Sequence, residues 1–562
     1  MTSFTPQTDA LGGSVALTAL VAFIPLVTFF ILLAVVKLKA WAAGLASLAA
    51  ALIVAVAVMK MPALLALLSA TQGAVFGAFP VFWIVVMAVW LYQVTVLSGR
   101  FEDLRRIFDS IGGGDIRIQA VLIAFCFGGL LEALAGFGAP VAITATMLMA
   151  LGLKPLKAAT AVLLANTAPV AFGAIAIPIT TAGNLTGLSS DHIGAIVGRQ
   201  APLLAVVVPV ILLFIIDGRK GVKDAWAPAL ATGVSFGIAQ FLCANFFSYE
   251  LTDIVAALAG LGGAVLFLRF WRTPARAAQA EAARERLGIA APAAGSEAER
   301  LTGSRTFMAL LPYLLVIVLF GAAKLWTLGV NMPKTLASTD VKIPWPGLDG
   351  HLLTAAGTAS KSTVYTFQWL SSPGTLLLIT GLIVAVIYSV KDDGGRFRLS
   401  VGNSVAEIGR TVWRMRMAGV TIMSVLALAY VMNFSGQTIS IGMWLAGAGG
   451  FFAFLSPILG WIGTAVTGSD TSANALFAKL QQTAASHAGI DPNLLVAANT
   501  TGGVVGKLIS PQNLAIAATS VDMEGKESEI LKTVIGWSVG MLLFLCCLVY
   551  LQSTPILGWM LP

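Results

Sequence analysis

The chain has 562 residues, of which 58% are hydrophobic and only 11% are charged. A soluble globular protein carries about 25% charged residues, so this composition excludes a soluble domain and indicates an all-α polytopic membrane protein. The net charge of +8 does not indicate nucleic-acid binding, because the basic residues lie between hydrophobic runs.

Apolar runs follow one another along the whole chain, and a bilayer core needs about 20 apolar residues per spanning helix. Several runs are too short or too broken to span cleanly. We therefore expect about 12 to 14 membrane segments, some of them re-entrant. The runs lie near residues 14–36, 41–59, 75–98, 116–131, 138–152, 158–181, 194–216, 226–246, 251–271, 306–326, 374–390, 412–431, 440–464, 494–520 and 533–558.

Two loops, 272–305 and 391–416, each carry six lysines or arginines. Short loops rich in these residues stay cytoplasmic, which places the sparsely charged loop 327–373 outside the cell. That external loop has four prolines and is predicted to be more turn than helix. The segment 100–117 and Lys39 are predicted to lie inside, and the N-terminus outside.

The basic loop 272–305 is predicted to be a cytoplasmic linker between an N-terminal membrane repeat, 1–271, and a C-terminal one, 306–562. The two halves share motifs in the same order, and four matches at one offset are hard to obtain by chance. Each matching pair is separated by 333 positions: Asn166 and Asn499, Thr167 and Thr500, Gly173 and Gly506, Pro178 and Pro511.

The two halves are expected to enter the membrane from opposite faces. The run 116–131 starts from the cytoplasmic side, whereas the run 440–464 should start from outside. This is typical of an inverted-topology repeat, in which transporters place the substrate site near the bilayer midplane between broken helices.

The stretch "LLEALAGFGAP" at 130–140 places the carboxylate of Glu132 beside a helix break. Glycine permits unusual dihedral angles and close approach, and Pro140 suits the first turn of a helix. We therefore predict a hairpin tip or a broken helix here, with Gly136 and Gly138 at the site.

The second half has a matching break. Ser469 and Asp470 are expected to cap a helix through 472–482, because their side-chain oxygens can accept hydrogen bonds from its free N–H groups. Such helix N-termini carry partial positive charge and attract carboxylates.

These motifs resemble those of the lactate permease family, within the ion transporter superfamily. The resemblance rests on "GGLLEALAGFGAPVAITATMLMALG" (128–152), "ANTAPVAFGAIAIPI" (165–179), "TGSDTSANALFAKLQ" (467–481) and "ANTTGGVVGKLISPQNLAIA" (498–517). It implies proton-coupled symport of L-lactate, D-lactate and glycolate across a bacterial inner membrane. It also implies two inverted repeats with re-entrant hairpins, an elevator motion and a homodimer.

Three charged residues are weighed for this function. Glu132 and Asp470 are candidates for proton coupling, because an embedded carboxylate must be protonated, paired or in a wet cavity. The alternative is that each caps or organises a helix. Lys507 is the candidate partner of the substrate carboxylate, and its alternative is a fixed ion pair with Glu132 or Asp470.

Neutral polar side chains could bind the hydroxyl and carboxylate of the substrate. The alternative is interhelical hydrogen bonding, worth about 0.6 kcal/mol each on average. The predicted lining residues of this kind are Asn166, Thr167, Ser469, Asn474, Asn499 and Thr500.

Other classes of protein fit the sequence less well. The three histidines and four cysteines show no metal-ligand spacing and no catalytic cluster, so we expect no enzyme, metal or cofactor. The loops are too short for a receptor's signalling domain. Two alternatives stay open: a sodium-coupled transporter of another small organic anion, and an anion channel.

Overall fold

The computed structural model describes residues 3–111, 114–136, 138–271, 274–289, 301–326, 330–354 and 357–562. Phe137 of the first predicted break and residues 290–300 of the predicted linker lie outside the described residues. The described chain is almost entirely helical, which confirms the predicted all-α membrane class.

The N-terminal half and the start of the linker form fourteen α-helices among the described residues. They are α1 Val15–Ala22, α2 Ile24–Phe30, α3 Ala40–Ala57, α4 Ala63–Phe76, α5 Trp83–Leu97, α6 Arg100–Ile111, α7 Ile116–Val121, α8 Gly128–Ala135, α9 Ala139–Ala150, α10 Pro155–Ala165, α11 Gly173–Thr186, α12 Ser190–Phe246, α13 Thr252–Trp271 and α14 Pro274–Leu287. Short π-helical segments join α4 to α5 and α7 to α8.

The C-terminal half continues with ten more described helices. They are α15 Gly303–Leu325, α16 Met332–Ala337, α17 Pro373–Val390, α18 Val401–Ser435, α19 Gln437–Ala446, α20 Phe452–Thr467, α21 Asp470–Ala488, α22 Pro492–Gly506, α23 Pro511–Ser520 and α24 Glu527–Gln552.

The predicted external loop contains the short helix α16 and two strands, β1 Val341–Pro344 and β2 Val364–Phe367. The strands pair antiparallel, with Val341 opposite Phe367. The loop is anchored to the membrane helices, because the Tyr365 hydroxyl donates to the Phe79 carbonyl at 2.7 Å.

Eleven described helices are long and apolar enough to cross a membrane, or up to twelve with the bent pair of α10 and α11. The 57-residue α12 departs from helical geometry at Gly218 and Ala225. Its two arms pack together, since a Cβ on Gly233 would lie 2.4 Å from the Val206 carbonyl oxygen. Helix α12 therefore crosses twice, and the total falls within the predicted 12 to 14.

The two halves repeat an order of elements. In the first, the hairpin of α8 and α9 precedes the broken pair of α10 and α11, and a long helix follows. In the second, the hairpin of α20 and α21 precedes the broken pair of α22 and α23, and α24 follows. Entry from opposite faces stays a prediction, as does the division at 272–305.

Helices α20 and α22 cross at a very close distance, which fixes the second hairpin to the second broken helix. A Cβ on Gly502 would lie 2.0 Å from the Pro457 carbonyl oxygen, so only glycine fits. Gly536 on α24 has nothing within 4 Å of the same position.

We expect Gly502→Ala to destabilise the protein by at least about 1–3 kcal/mol, because the added methyl group must push two backbones apart. Gly536→Ala, also in a membrane helix, should be neutral or slightly stabilising. Melting temperatures of the two detergent-purified variants test this. Equal melting temperatures would contradict the close crossing.

Candidate functional site

The tip of the first hairpin is a tight turn. Gly138 has φ 92°, a left-handed conformation that favours glycine. A Cβ there would also lie 2.4 Å from Cδ1 of Ile516, so this tip rests directly on α23. Pro140 lies in the first turn of α9, as predicted.

The second hairpin turns at Gly468, which also has a left-handed backbone with φ 74°. The Ser469 hydroxyl accepts a hydrogen bond from the Ser472 N–H at 3.3 Å and caps α21. The expectation that Asp470 shares this capping role is wrong. Asp470 is already the first residue of the helix, and its carboxylate lies against other side chains.

Both hairpin tips and both helix breaks line one cavity of about 650 Å³. Of the predicted site residues, the lining includes Glu132, Gly136, Gly138, Ser469, Asp470 and Lys507. The lining also includes the start of α3, with Lys39 to Trp41, and α18, with residues from Arg416 to Ile422. The repeated elements therefore converge on a single space, which they share with two helices from outside the repeat.

A buried ion pair forms part of the cavity wall. The Lys507 Nζ donates to Glu132 Oε1 at 2.6 Å and to the Gly136 carbonyl at 3.3 Å. Asn166 Nδ2 donates to the other carboxylate oxygen, Oε2, at 2.8 Å. Glu132 is only 2% exposed and Lys507 only 7%. Of the alternatives for Lys507, the structure thus shows the ion pair with Glu132.

Asp470 is 4% exposed and makes only long contacts. Its Oδ1 accepts hydrogen bonds from Thr464 Oγ1 at 3.4 Å and from Asn474 Nδ2 at 3.3 Å. Its Oδ2 has no hydrogen-bond partner among the described residues. A Cβ on Gly503 would lie 2.0 Å from Oδ1, so glycine makes room for this carboxyl.

Three predicted lining residues form a hydrogen-bonded group behind the cavity wall instead of facing the cavity. The Asn474 Oδ1 accepts from Asn499 Nδ2 at 3.2 Å and from Thr500 Oγ1 at 2.9 Å. Asn499 Oδ1 accepts in turn from Gln481 Nε2 at 3.3 Å. These bonds brace α21 against α22, and direct substrate contact by these residues stays a prediction.

The two residues of the first Asn-Thr pair, Asn166 and Thr167, make different contacts. Asn166 orients Glu132, whereas the hydroxyl of Thr167, which follows α10, donates to the Leu164 carbonyl of that helix at 2.7 Å. Neither is among the lining residues of the cavity. The structure therefore gives Asn166 an indirect connection to the cavity through the ion pair.

Sequence reasoning missed eight polar residues of the lining, which are Lys39, Arg416, Thr421, Thr467, Thr471, Ser472, Gln512 and Asn513. Gln512 and Asn513 open α23, and the Asn513 amide donates to the Lys507 carbonyl at 3.3 Å. Their signal was present in the quoted "SPQN" stretch that follows Lys507. Lys39 and Arg416 line the mouth, and they had been used only to predict orientation.

The site combines one paired and one poorly satisfied carboxyl with a cation, in a cavity large enough for a small organic anion. Within the described ranges, no three His, Cys, Asp or Glu side chains are grouped so as to hold a metal ion. The chemistry available is binding of an anion by Lys507 and gain or loss of a proton by a carboxyl.

Comparison with known proteins finds relatives that match this chain over nearly its whole length. The family model described as L-lactate permease matches residues 18–556. The chain is 40% identical to the L-lactate permease of Bacillus subtilis (strain 168), over 98% of both chains. It is 40% identical to glycolate permease GlcA of Escherichia coli (strain K12), over 94% of both chains. It is 38% identical to the L-lactate permease of the same strain, over 98% of both.

Among solved structures, the YdaH transporter of Alcanivorax borkumensis matches with 17% identity and a TM-score of 0.32. The match covers 82% of this chain and 90% of that one. A TM-score this low does not establish a common arrangement of helices.

Proposed function

Because this chain belongs to the L-lactate permease family, we propose that it imports L-lactate, D-lactate and glycolate together with protons. It is a multi-pass transporter of a bacterial inner membrane and not an enzyme. L-lactate and glycolate are the substrates named for its relatives. D-lactate is proposed as a third 2-hydroxymonocarboxylate, and coupling to protons is inferred from the site.

The buried ion pair between Glu132 and Lys507 is the observation that carries the proposal. The pair is neutral as a whole, so it can be buried at tolerable cost. A substrate carboxylate that binds Lys507 leaves Glu132 as an uncompensated buried charge, which is strongly unfavourable. Uptake of one proton by Glu132 restores neutrality. Anion and proton therefore bind together, which is the requirement for symport.

The residues of the cavity mouth support uptake of an anion. Lys39 and Arg416 both line the cavity and both belong to segments that the positive-inside rule places in the cytoplasm. With that predicted orientation, the cavity would open toward the cytoplasm. Positive charge that lines a cleft raises the local concentration of an anionic ligand.

Alternating access is proposed to occur by an elevator motion. The cavity is lined by the hairpins and broken helices and also by α3 and α18. Helix α18 packs along both α3 and α4, and the three helices together form a broad supporting surface. Movement of the hairpin side along this support would carry the site between the two faces. The homodimer implied by the resemblance stays a prediction.

We expect uptake to be driven by a pH gradient and not by a sodium gradient, because the site offers a protonatable pair. Proteoliposomes containing the purified protein would be loaded with a pH indicator and given lactate under each gradient alone. Internal acidification should accompany lactate entry. Full accumulation on sodium alone would support the sodium-coupled alternative.

The same vesicles distinguish a transporter from an anion channel. A transporter shows counterflow, in which external labelled lactate accumulates transiently against unlabelled internal lactate, because one site serves both directions. An open channel dissipates the gradient without such accumulation. Empty vesicles serve as the control for passive entry of lactic acid.

A further inference from the structure

Asp253 is a buried carboxyl without a hydrogen-bond partner. It lies in the first turn of α13 and is 0% exposed. Neither Oδ1 nor Oδ2 has a partner among the residues that the structure describes. An ionised carboxylate in such a place is very costly, so Asp253 is neutral here and carries a proton.

Asp253 faces the ion pair of the cavity. Helices α8 and α13 pack together, since a Cβ on Gly129 would lie 3.7 Å from the Ala257 Cβ. Glu132 follows Gly129 by three residues and Asp253 precedes Ala257 by four, so each lies on the same helix face as its contact residue.

The two helices run in opposite directions, which brings these carboxyls together. Arg117 at the start of α7, which leads into α8, bonds Asp224 at 3.2 Å. Arg276, just after the end of α13, donates to the Asp224 carbonyl at 3.0 Å. The start of one helix run and the end of the other therefore meet at one place, and Glu132 and Asp253 lie away from it.

Titratable groups from several elements of the chain surround Asp253. Glu132 and Lys507 act on it electrostatically, and Asp253 and Glu250 both act on Cys243 of α12. Glu250 is 2% exposed and accepts a hydrogen bond from the Ser248 hydroxyl at 2.6 Å. Three buried carboxyls, Glu132, Asp253 and Glu250, thus lie in one region, and Lys507 is paired with the first of them.

This region extends away from the cavity mouth. The arm 226–246 of α12 is about 30 Å long. It starts at the turn 217–224 and ends just before Glu250. This turn carries Arg219, Lys220 and Lys223, so the positive-inside rule favours the cytoplasmic side for it. Glu250 and Asp253 therefore lie toward the opposite face from that turn, and both are buried in this structure.

We propose that Asp253 is a proton-carrying residue that exchanges its proton with Glu132 and connects it to the outer side through Glu250. When a substrate carboxylate binds Lys507, the Glu132 carboxylate accepts the proton of the Asp253 carboxyl. Asp253 is then reprotonated from the Glu250 side. One proton enters the site per exchange, and no bond other than O–H is formed or broken. The inference rests on the proposed proton coupling.

The test compares Asp253→Asn with the wild type in proteoliposomes. Asparagine keeps the shape and the neutral state, so folding and lactate counterflow at equal pH should remain close to wild type. Uptake driven by a pH gradient should fall by at least about tenfold, because a proton-transfer step is lost. Asp253→Glu, which keeps the carboxyl, should restore part of that uptake.

Asp103→Asn is the matched control, because Asp103 is an equally buried aspartate that pairs with Arg305, away from the cavity. It should reduce stability and leave the coupling intact. Unchanged pH-driven uptake in Asp253→Asn would overturn the relay. Loss of counterflow, or failure to fold, would show that Asp253 is ionised or structural, which also overturns it. If the wild type moves no protons with lactate, the proposed function itself fails.

Discussion

Replacing Lys507 by alanine is expected to weaken L-lactate binding by about 2–5 kcal/mol, which is roughly 30-fold or more in Kd. Lys507 is the buried cation of the cavity lining, whereas Lys39 and Arg416 are exposed. The proposed substrate is a monoanion. The variant also leaves Glu132 without its ion-pair partner at 2.6 Å. We expect Glu132 to take up a proton in response, so the protein folds with reduced stability. Binding to purified protein is measured by calorimetry.

The double variant Lys507→Ala with Glu132→Gln separates folding from binding. It removes both charges, so much of the lost stability should return, whereas lactate binding should not. Lys479→Ala is a matched control, because Lys479 is a partly buried lysine on α21 that bonds Gln482 and does not line the cavity. A monodisperse Lys507→Ala protein that binds lactate like the wild type would rule out the substrate contact.

The membrane class and the number of crossings could be predicted because they depend on hydropathy alone. The runs 194–216 and 226–246 already mark the two arms of α12, separated by a charged stretch. The break at 136–140 could be predicted because glycine permits unusual backbone angles and Pro140 suits the first turn of a helix. The helix start after Ser469 could be predicted because a serine side chain can cap it. Features of this kind depend only on short stretches of the sequence.

The site depends on partners that are remote in sequence. Glu132 and Lys507 are separated by 375 positions, and only the fold selects Glu132 over Asp470 as the partner of the lysine. The duplicated Asn-Thr pairs predict that each pair occupies the equivalent position in its repeat. They do not predict which side chains face the cavity. Asn499 and Thr500 lie behind the wall because Asn474 accepts their hydrogen bonds.

Asp253 could not be found by the same reasoning. In the sequence it is an acidic residue at the start of an apolar run, where aspartate ordinarily stabilises a helix N-terminus in water. Its burial arises from the packing of α13 against α8 and the second arm of α12, which no local pattern encodes. A carboxyl is unusual at this position only once its neighbours are known.

Glu132→Gln is expected to abolish proton-driven accumulation of lactate and to preserve counterflow. Glutamine cannot carry the proton, but it keeps the shape and can still accept a hydrogen bond from Asn166. Lys507 then keeps its charge without a competing carboxylate, so lactate should bind at least as tightly. Counterflow needs no net proton movement, which is why it survives. Both assays use the same proteoliposomes, with and without a pH gradient.

Asp470→Asn should instead impair accumulation and counterflow together. Its carboxyl lies at the tip of the second hairpin between Thr464 of α20 and Asn474 of α21, in the space that Gly503 leaves open. The amide oxygen can still accept from these two donors, but the NH2 group replaces Oδ2, which has no hydrogen-bond partner among the described residues. Two donors are then buried unsatisfied, which is costly and disturbs the tip. The two carboxyls thus have different roles, a proton site and a support of the hairpin. If Asp470→Asn alone shows counterflow without accumulation, or if Glu132→Gln still concentrates lactate, the roles are reversed.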